Sequence, residues 1–164
     1  MCSSDLTLKQ DGEEVVVRTG FETTIRKRFD LPMPEQVSWE TDTIEKLEAF
    51  EFDDPRDRRR YFGRGDNQIA GVGDGFERNT GPWIETVKSL HPDFPVYGSM
   101  IEASECVTRM LGQLNTMMWI GEYPERIGKQ LLRIGEFYYK CAEAEIEAAG
   151  GLLEDRKSTR LNSS

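Results

Sequence analysis

Val96-Tyr-Gly-Ser-Met-Ile101, bounded by Pro95 and Glu102, is the run that decides the fold class. A short apolar run between a proline and a carboxylate reads as a strand buried on both faces of a parallel sheet. Helical patterns follow it over 104–112 and 115–122, and the longest periodic segment is Pro124–Ala149. Proline in the first turn and Gly150-Gly151 after the last give that helix its expected ends. Ile127, Leu131, Ile134, Tyr138, Cys141 and Ile146 mark one buried stripe at spacings near the helical repeat. Leu152-Leu153 then opens a second apolar run. Strand, helices and strand again form the grammar of a βαβ unit, so the expected class is α/β.

Upstream the periodicity changes. Glu13–Thr19 and Phe21–Phe29 are rich in β-branched residues with Gly20 between them, which predicts a β-hairpin or a bent pair of strands. Leu31-Pro-Met-Pro34 reads as an extended linker, because each proline restricts itself and its predecessor. Asp42-Thr-Ile-Glu45 has capping-box form and opens a short helix with Ile44 and Leu47 on one side. Asp53-Asp-Pro55 starts another short helix with proline in its first turn. Arg58-Arg-Arg60 reads there as a solvated face. Gly63 to Gly75 is loop-like, with Ile69–Val72 as a short buried strand. Its glycines lack the spacing of a phosphate loop, and no Lys-Ser/Thr follows. Asp66 and Asp74 read as solvated loop carboxylates. Pro82–Leu90 is a helix with Trp83, Val87 and Leu90 on one face, ended by His91-Pro-Asp-Phe-Pro95.

Both ends read differently from the middle. Met1-Cys-Ser-Ser-Asp-Leu6 and Asp155–Ser164 match the translation of sequencing-library adapters codon for codon. The expected division is therefore 1–6 and 155–164 as adapter-derived scars, excluded from fold reasoning, and 7–154 as a partial domain. The whole chain carries a net charge of −9. Without the scars, 18 basic residues stand against 28 acidic ones, a net of −10. Neutralising phosphate needs clustered Lys and Arg, so nucleic acid and anionic membrane are not expected partners. No apolar run is long enough to span a bilayer and no signal peptide is visible, which points to a cytoplasmic protein. Outside the scar only Cys106 and Cys141 remain, too few for a disulfide framework or a metal spacing, and both read as packed side chains. His91 reads as a solvated loop residue, and no metal site is expected.

Several stretches taken in order resemble the uroporphyrinogen decarboxylase superfamily, decarboxylase-like branch. They are Phe94-Pro-Val-Tyr-Gly-Ser-Met-Ile-Glu-Ala-Ser-Glu105, Met110-Leu-Gly112, Trp119-Ile-Gly121, Tyr123-Pro-Glu125 and Ala148-Ala-Gly-Gly151. Val17-Arg-Thr-Gly20, Asp30-Leu-Pro-Met-Pro34 and Phe52-Asp-Asp-Pro55 are similar to the family's hairpin and connecting segment. The resemblance implies an incomplete (β/α)8 TIM barrel fragment with an N-terminal β-hairpin insertion. A full barrel needs roughly 250 residues. It also implies an enzyme in the intact parent, acting on a small-molecule substrate. Family members decarboxylate the acetate arms of uroporphyrinogen without a cofactor, or move methyl groups between a corrinoid or methylated donor and a thiol with zinc. The fragment itself is expected to be inactive and to hold no cofactor, with zinc or corrinoid reserved for a methyltransferase parent. The family's arginine-rich segment and its early acidic residue match no position here, and Arg26, Lys27 and Arg28 do not correspond by motif. Its His-x-Cys zinc pair lies beyond Glu154 in family order. No catalytic residue is therefore carried over.

Two substrate-binding candidates come from position in the chain. Glu102 ends the 96–101 strand, and in a barrel the C-terminal strand ends face the active site. A carboxylate there binds a cationic group or moves a proton. The plainer role is favourable placement at the N-terminus of the next helix. Ser99 either lines the same pocket or packs as a small strand residue. Tyr123, Tyr138 and Tyr139 read as helix packing. A non-catalytic binding module is the alternative class of function.

Overall fold

The computed structural model describes residues 6–57, 61, 83–98, 100 and 102–154. Its sheet comprises β1 (Leu6–Gln10), β2 (Glu14–Arg18), β3 (Thr23–Arg28) and β4 (Glu35–Trp39), antiparallel throughout in the order β1-β2-β3-β4. The hairpin expected at Glu13–Phe29 is present, with Arg18 opposite Thr24 and Glu14 opposite Arg28. Strict alternation explains it: Val15, Val17 and Ile25 point to one face and are buried together, while Val16, Thr24 and Arg26 face outward. The β2–β3 turn closes through Thr19, whose N–H donates to the Thr23 carbonyl at 2.8 Å. Its left-handed residue is Glu22, at φ 57°, rather than Gly20.

The sheet is twice as wide as the sequence suggests. β1 joins through a turn in which Asp11 Oδ1 accepts from the N–H groups of Glu13 and Glu14 at 2.8 and 2.9 Å. On the other side, 31–33 bends instead of extending. The chain returns as β4, whose Glu35 pairs with Arg26 and whose Trp39 pairs with Thr23. β4 is exposed along most of its length, so no buried alternation announces it. Pro34 stands just before this edge strand, where its missing N–H costs nothing.

Five helices follow among the described residues: α1 (Ile44–Ala49), α2 (Trp83–Leu90), α3 (Ala103–Leu111), α4 (Gln113–Glu122) and α5 (Pro124–Ala149). The cap of α1 is Thr43, one residue later than the capping-box reading. Its hydroxyl accepts from Lys46 N–H at 3.3 Å, and Asp42 instead pairs with the Lys46 ammonium at 2.6 Å. On α2, Ile84 and Val87 are buried, whereas Leu90 is exposed. At 55–56 the chain turns; Tyr61 is helical and buried, its hydroxyl donating to the Cys141 carbonyl at 2.9 Å. Arg58-Arg-Arg60, Asp66, Asp74 and the glycine-rich 63–75 stretch lie outside the described residues.

α5 has the expected bounds. Gly150, at φ 61°, ends it by donating to the carbonyls of Ile146 and Glu147. Its buried arc carries Ile127, Ile134, Phe137, Tyr138 and Cys141 into one core with Phe21, Ile44, Leu47, Cys106, Val107 and Met110. The stripe departs from expectation at one end: Ile146 is exposed and Glu145 is buried in its place.

Sheet and helices are joined by polar groups that would otherwise be orphaned. The last turn of α3 leaves carbonyls without helical partners. Thr23 Oγ1 donates to the Arg109 carbonyl at 2.8 Å, the Thr41 hydroxyl donates to that of Met110, and Gly112 N–H donates to that of Thr108 at 2.8 Å. Arg133 does the same for α1, donating to the carbonyls of Leu47 and Glu48 at 2.9 Å each while its guanidinium lies 5.3 Å over the Phe52 ring. Phe52 in turn stacks on Phe137 at 4.6 Å.

The mixed α/β class holds, but the described sheet is an antiparallel meander and a barrel is not formed by these residues. The run read as a parallel strand, at 96–98 and 100, has no strand conformation. Its single described backbone tie is Glu154 N–H donating to the Val96 carbonyl at 2.8 Å. No helix among the described residues is long and apolar enough to cross a membrane.

Candidate functional site

Two described parts of the stretch that sequence reasoning singled out are placed by contacts: Gly98 lies against the end of α5, and Met100 and Ala103 pack on the core. Gly98 lies against α5 so closely that an added Cβ would stand 3.3 Å from Glu145 Oε1. Glu145 is 4% exposed, a carboxyl side chain inside the protein, and with Gln130 it is a polar residue that α5 buries. Burying a carboxylate is costly unless it is hydrogen-bonded or paired.

Glu102 stands four residues after Gly98 in the chain. It is the N-cap of α3, at φ −75° and ψ 151°, and its carbonyl accepts from Cys106 N–H at 3.0 Å. Its carboxylate makes no cap hydrogen bond; Ser104 Oγ lies 3.5 Å from Oε2. The side chain is exposed. Together with Glu105 it places negative charge at the positive end of the α3 dipole, the favourable arrangement for a helix start. Arg109 holds Glu105 from one turn further on, with Nε 3.2 Å from Oε1. Ser99 lies outside the described residues. Of the expected pair, the structure thus describes Glu102 alone, and it adds Glu145.

Cys106 is fully buried and Cys141 nearly so. Burial pushes the Cys106 thiol up to about 11. The Tyr138 phenol is pushed up as well, first by burial and then by Cys106 beside it. Cys106 Sγ is 4.0 Å from Met110 Sδ. A cysteine ligates zinc as its thiolate, and here the low-dielectric surroundings favour the neutral thiol. Among the described residues, no group of three His, Cys, Asp or Glu is placed to hold a metal ion. The chemistry of these donors does not fit zinc, and no step through zinc is derived.

His91 closes α2, its N–H donating to the Val87 carbonyl at 3.0 Å. Of the tyrosines read as helix packing, Tyr138 is buried. Tyr123 packs edge-on to Trp119 and beneath Arg126, while Tyr139 is 65% exposed and packs in no core.

A groove of about 820 Å³ opens on the outer sheet face between Gly12, Glu14, Arg26, Arg28 and Phe29. Its cations are already engaged: Arg26 with Glu35 and Arg28 with Asp30, each at 2.7 Å. A carboxylate ligand would have to displace an exposed internal pair for little net gain. The approach of Gly98 to Glu145, with Glu102 four residues further on at the start of α3, is the better candidate, because it combines a buried carboxyl side chain, a helix start and irregular backbone. No family model, no curated protein and no solved structure matches this chain.

Proposed function

We propose that this chain is part of a uroporphyrinogen decarboxylase-like enzyme, whose barrel removes carboxylate from the acetate arms of a tetrapyrrole. The observation that carries the reading is the 2.8 Å bond from Glu154 N–H to the Val96 carbonyl. It lays the run after Pro95 beside the run after Gly151, with three helices between them, which is the contact a right-handed crossover needs. The element boundaries support it. The Leu111-Gly112 turn separates α3 from α4, Pro124 starts α5, and Gly150-Gly151 ends it. In this reading the antiparallel sheet is the N-terminal insertion, and charge developed on loss of carbon dioxide is stabilised by polar groups at the strand ends. Glu102, which follows the run after Pro95, would there hold a cationic group of the substrate or move a proton.

The test begins with the uninterrupted reading frame on genomic DNA. The expected frame continues in strand–helix alternation to barrel length, and its product releases carbon dioxide from uroporphyrinogen. In that product, Glu102→Gln is expected to lower kcat/KM at least tenfold with an unchanged Tm. A His-x-Cys pair and a later Cys downstream, with methyl transfer to a thiol, would replace decarboxylation by the zinc chemistry. An intact product without either activity would sink the enzyme reading and leave a binding module.

A further inference from the structure

We infer that the outer face of α5 is a contact surface for a second copy of this chain, packed antiparallel. The buried arc of α5 accounts for only one of its two repeating stripes. The second consists of Gly128, Leu132, Gly135, Tyr139, Ala142 and Ile146, spaced alternately four and three residues apart. That is the repeat of a helix–helix seam. Leu132, Tyr139 and Ile146 are 77%, 65% and 63% exposed, and a Cβ added at Gly128 or Gly135 would meet nothing within 4 Å. A long helix therefore shows solvent a complete apolar seam beside its core-facing one.

The order of large and small residues selects the occupant. In an antiparallel pair centred near Phe137, each layer joins positions from opposite ends of the seam. Gly128 then faces Ile146, Leu132 faces Ala142, and Gly135 faces Tyr139 of the second copy. Every layer holds one large and one small side chain, so the helices approach closely without voids. A parallel pair sets Gly against Gly and Tyr against Tyr, alternating gaps with clashes. Charge points the same way. Before the centre of α5 stands Lys129, with Arg126 and Arg133 engaged by α1, and after it stands Glu143, which shares Arg56 with Glu147 at 3.6 and 2.9 Å. Antiparallel packing brings Lys129 of one copy towards Glu143 of the other, twice over. Glu136, near the two-fold axis, meets its own counterpart, but Lys140 lies 2.8 Å from it and offsets its charge. The seam is about 27 Å long, short beside a standard interface of about 1,200–2,000 Å². The dimer is accordingly weak and concentration-dependent.

Sedimentation equilibrium of the full chain between about 5 and 500 μM tests this, and it is independent of the enzymatic reading. The expected result is a monomer–dimer equilibrium. Leu132→Glu and Gly135→Leu should each weaken it at least tenfold. Gly135→Leu is diagnostic, because the side chain enters open space in the monomer and clashes only with Tyr139 of the partner copy. Lys129→Glu and Glu143→Lys should each weaken association, and the double swap should restore it. A monomer throughout the range overturns the proposal, as does association indifferent to Leu132→Glu and Gly135→Leu. Failure of the double swap to restore dimer overturns it too. A fall in Tm of the dilute monomer with Leu132→Glu would mean that the chain itself covers the seam, and it likewise overturns the inference.

Discussion

Gly112 has the tightest surroundings of the described glycines, and replacing it with alanine tests how sheet and helices are joined. It stands between α3 and α4 at φ 78° and ψ 156°, a backbone region occupied almost only by glycine. Forcing alanine to hold it costs about 1–3 kcal/mol. The new methyl would also stand 2.7 Å from Trp39 Cζ2 and 2.8 Å from Cε2. The ring can escape only by rotating off the junction and uncovering the surface it shields, an overpacking cost of about 1–3 kcal/mol. Together the two effects remove about 2–6 kcal/mol from a total of roughly 5–15. For a chain of this length the expected fall in Tm is roughly 5–20 °C. Circular dichroism melts and urea titrations measure it. Gly121→Ala is the control: it lies in α4 with nothing within 4 Å, and alanine there should stabilise by up to about 1 kcal/mol. Trp39→Ala made in the Gly112→Ala background should recover the steric part alone, a coupling of about 1–3 kcal/mol. If Gly112→Ala melts within 2 °C of the parent (roughly the shift of 1 kcal/mol or less), or if the cycle shows no coupling, Trp39 and Gly112 do not form the joint described above.

Arg133→Lys should destabilise by about 1.5–3 kcal/mol in urea unfolding, since an ammonium cannot satisfy the Leu47 and Glu48 carbonyls while lying flat on Phe52. A loss under about 0.5 kcal/mol would show that α1 needs no such cap. Acid should act through the exposed pairs. The Arg126 guanidinium holds the Glu48 carboxyl below its ordinary value of 4.5, Lys140 does so for Glu136, and Lys9 with two backbone N–H groups holds Asp11 down to about 2. Folded values below the unfolded ones mean stability that is complete above about pH 5 and is lost as pH falls through the depressed folded values. Tm against pH should therefore be level from 7 to about 5 and then decline. Arg126→Met should make the decline shallower below the ordinary carboxylate range; an unchanged slope would remove Glu48 from the account.

The parts of the fold legible in sequence were those in which one face is buried and the other is not. Val15, Val17 and Ile25 alternate because one face of their hairpin is buried and the other is not, and Ile127, Ile134 and Tyr138 repeat at helical spacing for the same reason. β1 and β4 escaped because they are edge strands, solvated on both sides, where no alternation is selected. Glu22 rather than Gly20 took the left-handed position, because the turn is fixed by Thr19 bonding across to Thr23, and composition alone does not reveal which residue absorbs the reversal. The cap of α1 moved by one residue because Thr43 and Asp42 are both competent caps, and Lys46 draws Asp42 away from that role.

Glu145 was missed for an instructive reason. The stripe 127, 131, 134, 138, 141 alternates steps of four and three, so its next member is 145; hydrophobicity favoured Ile146 by one residue. Spacing and side-chain type disagreed there, and spacing was right. An apolar pattern interrupted by a carboxylate that geometry still buries is a signal in its own right, because a buried carboxyl group requires partners that a leucine would not. The same one-residue distinction assigns Ile146 to the outer seam with Leu132 and Tyr139. Two phases of a single helix thus separate two roles: the inner phase brings Glu145 against Gly98, and the outer phase carries an apolar row to the surface. A substitution at 145 should therefore register at Gly98 and leave self-association alone, and one at 146 should do the reverse.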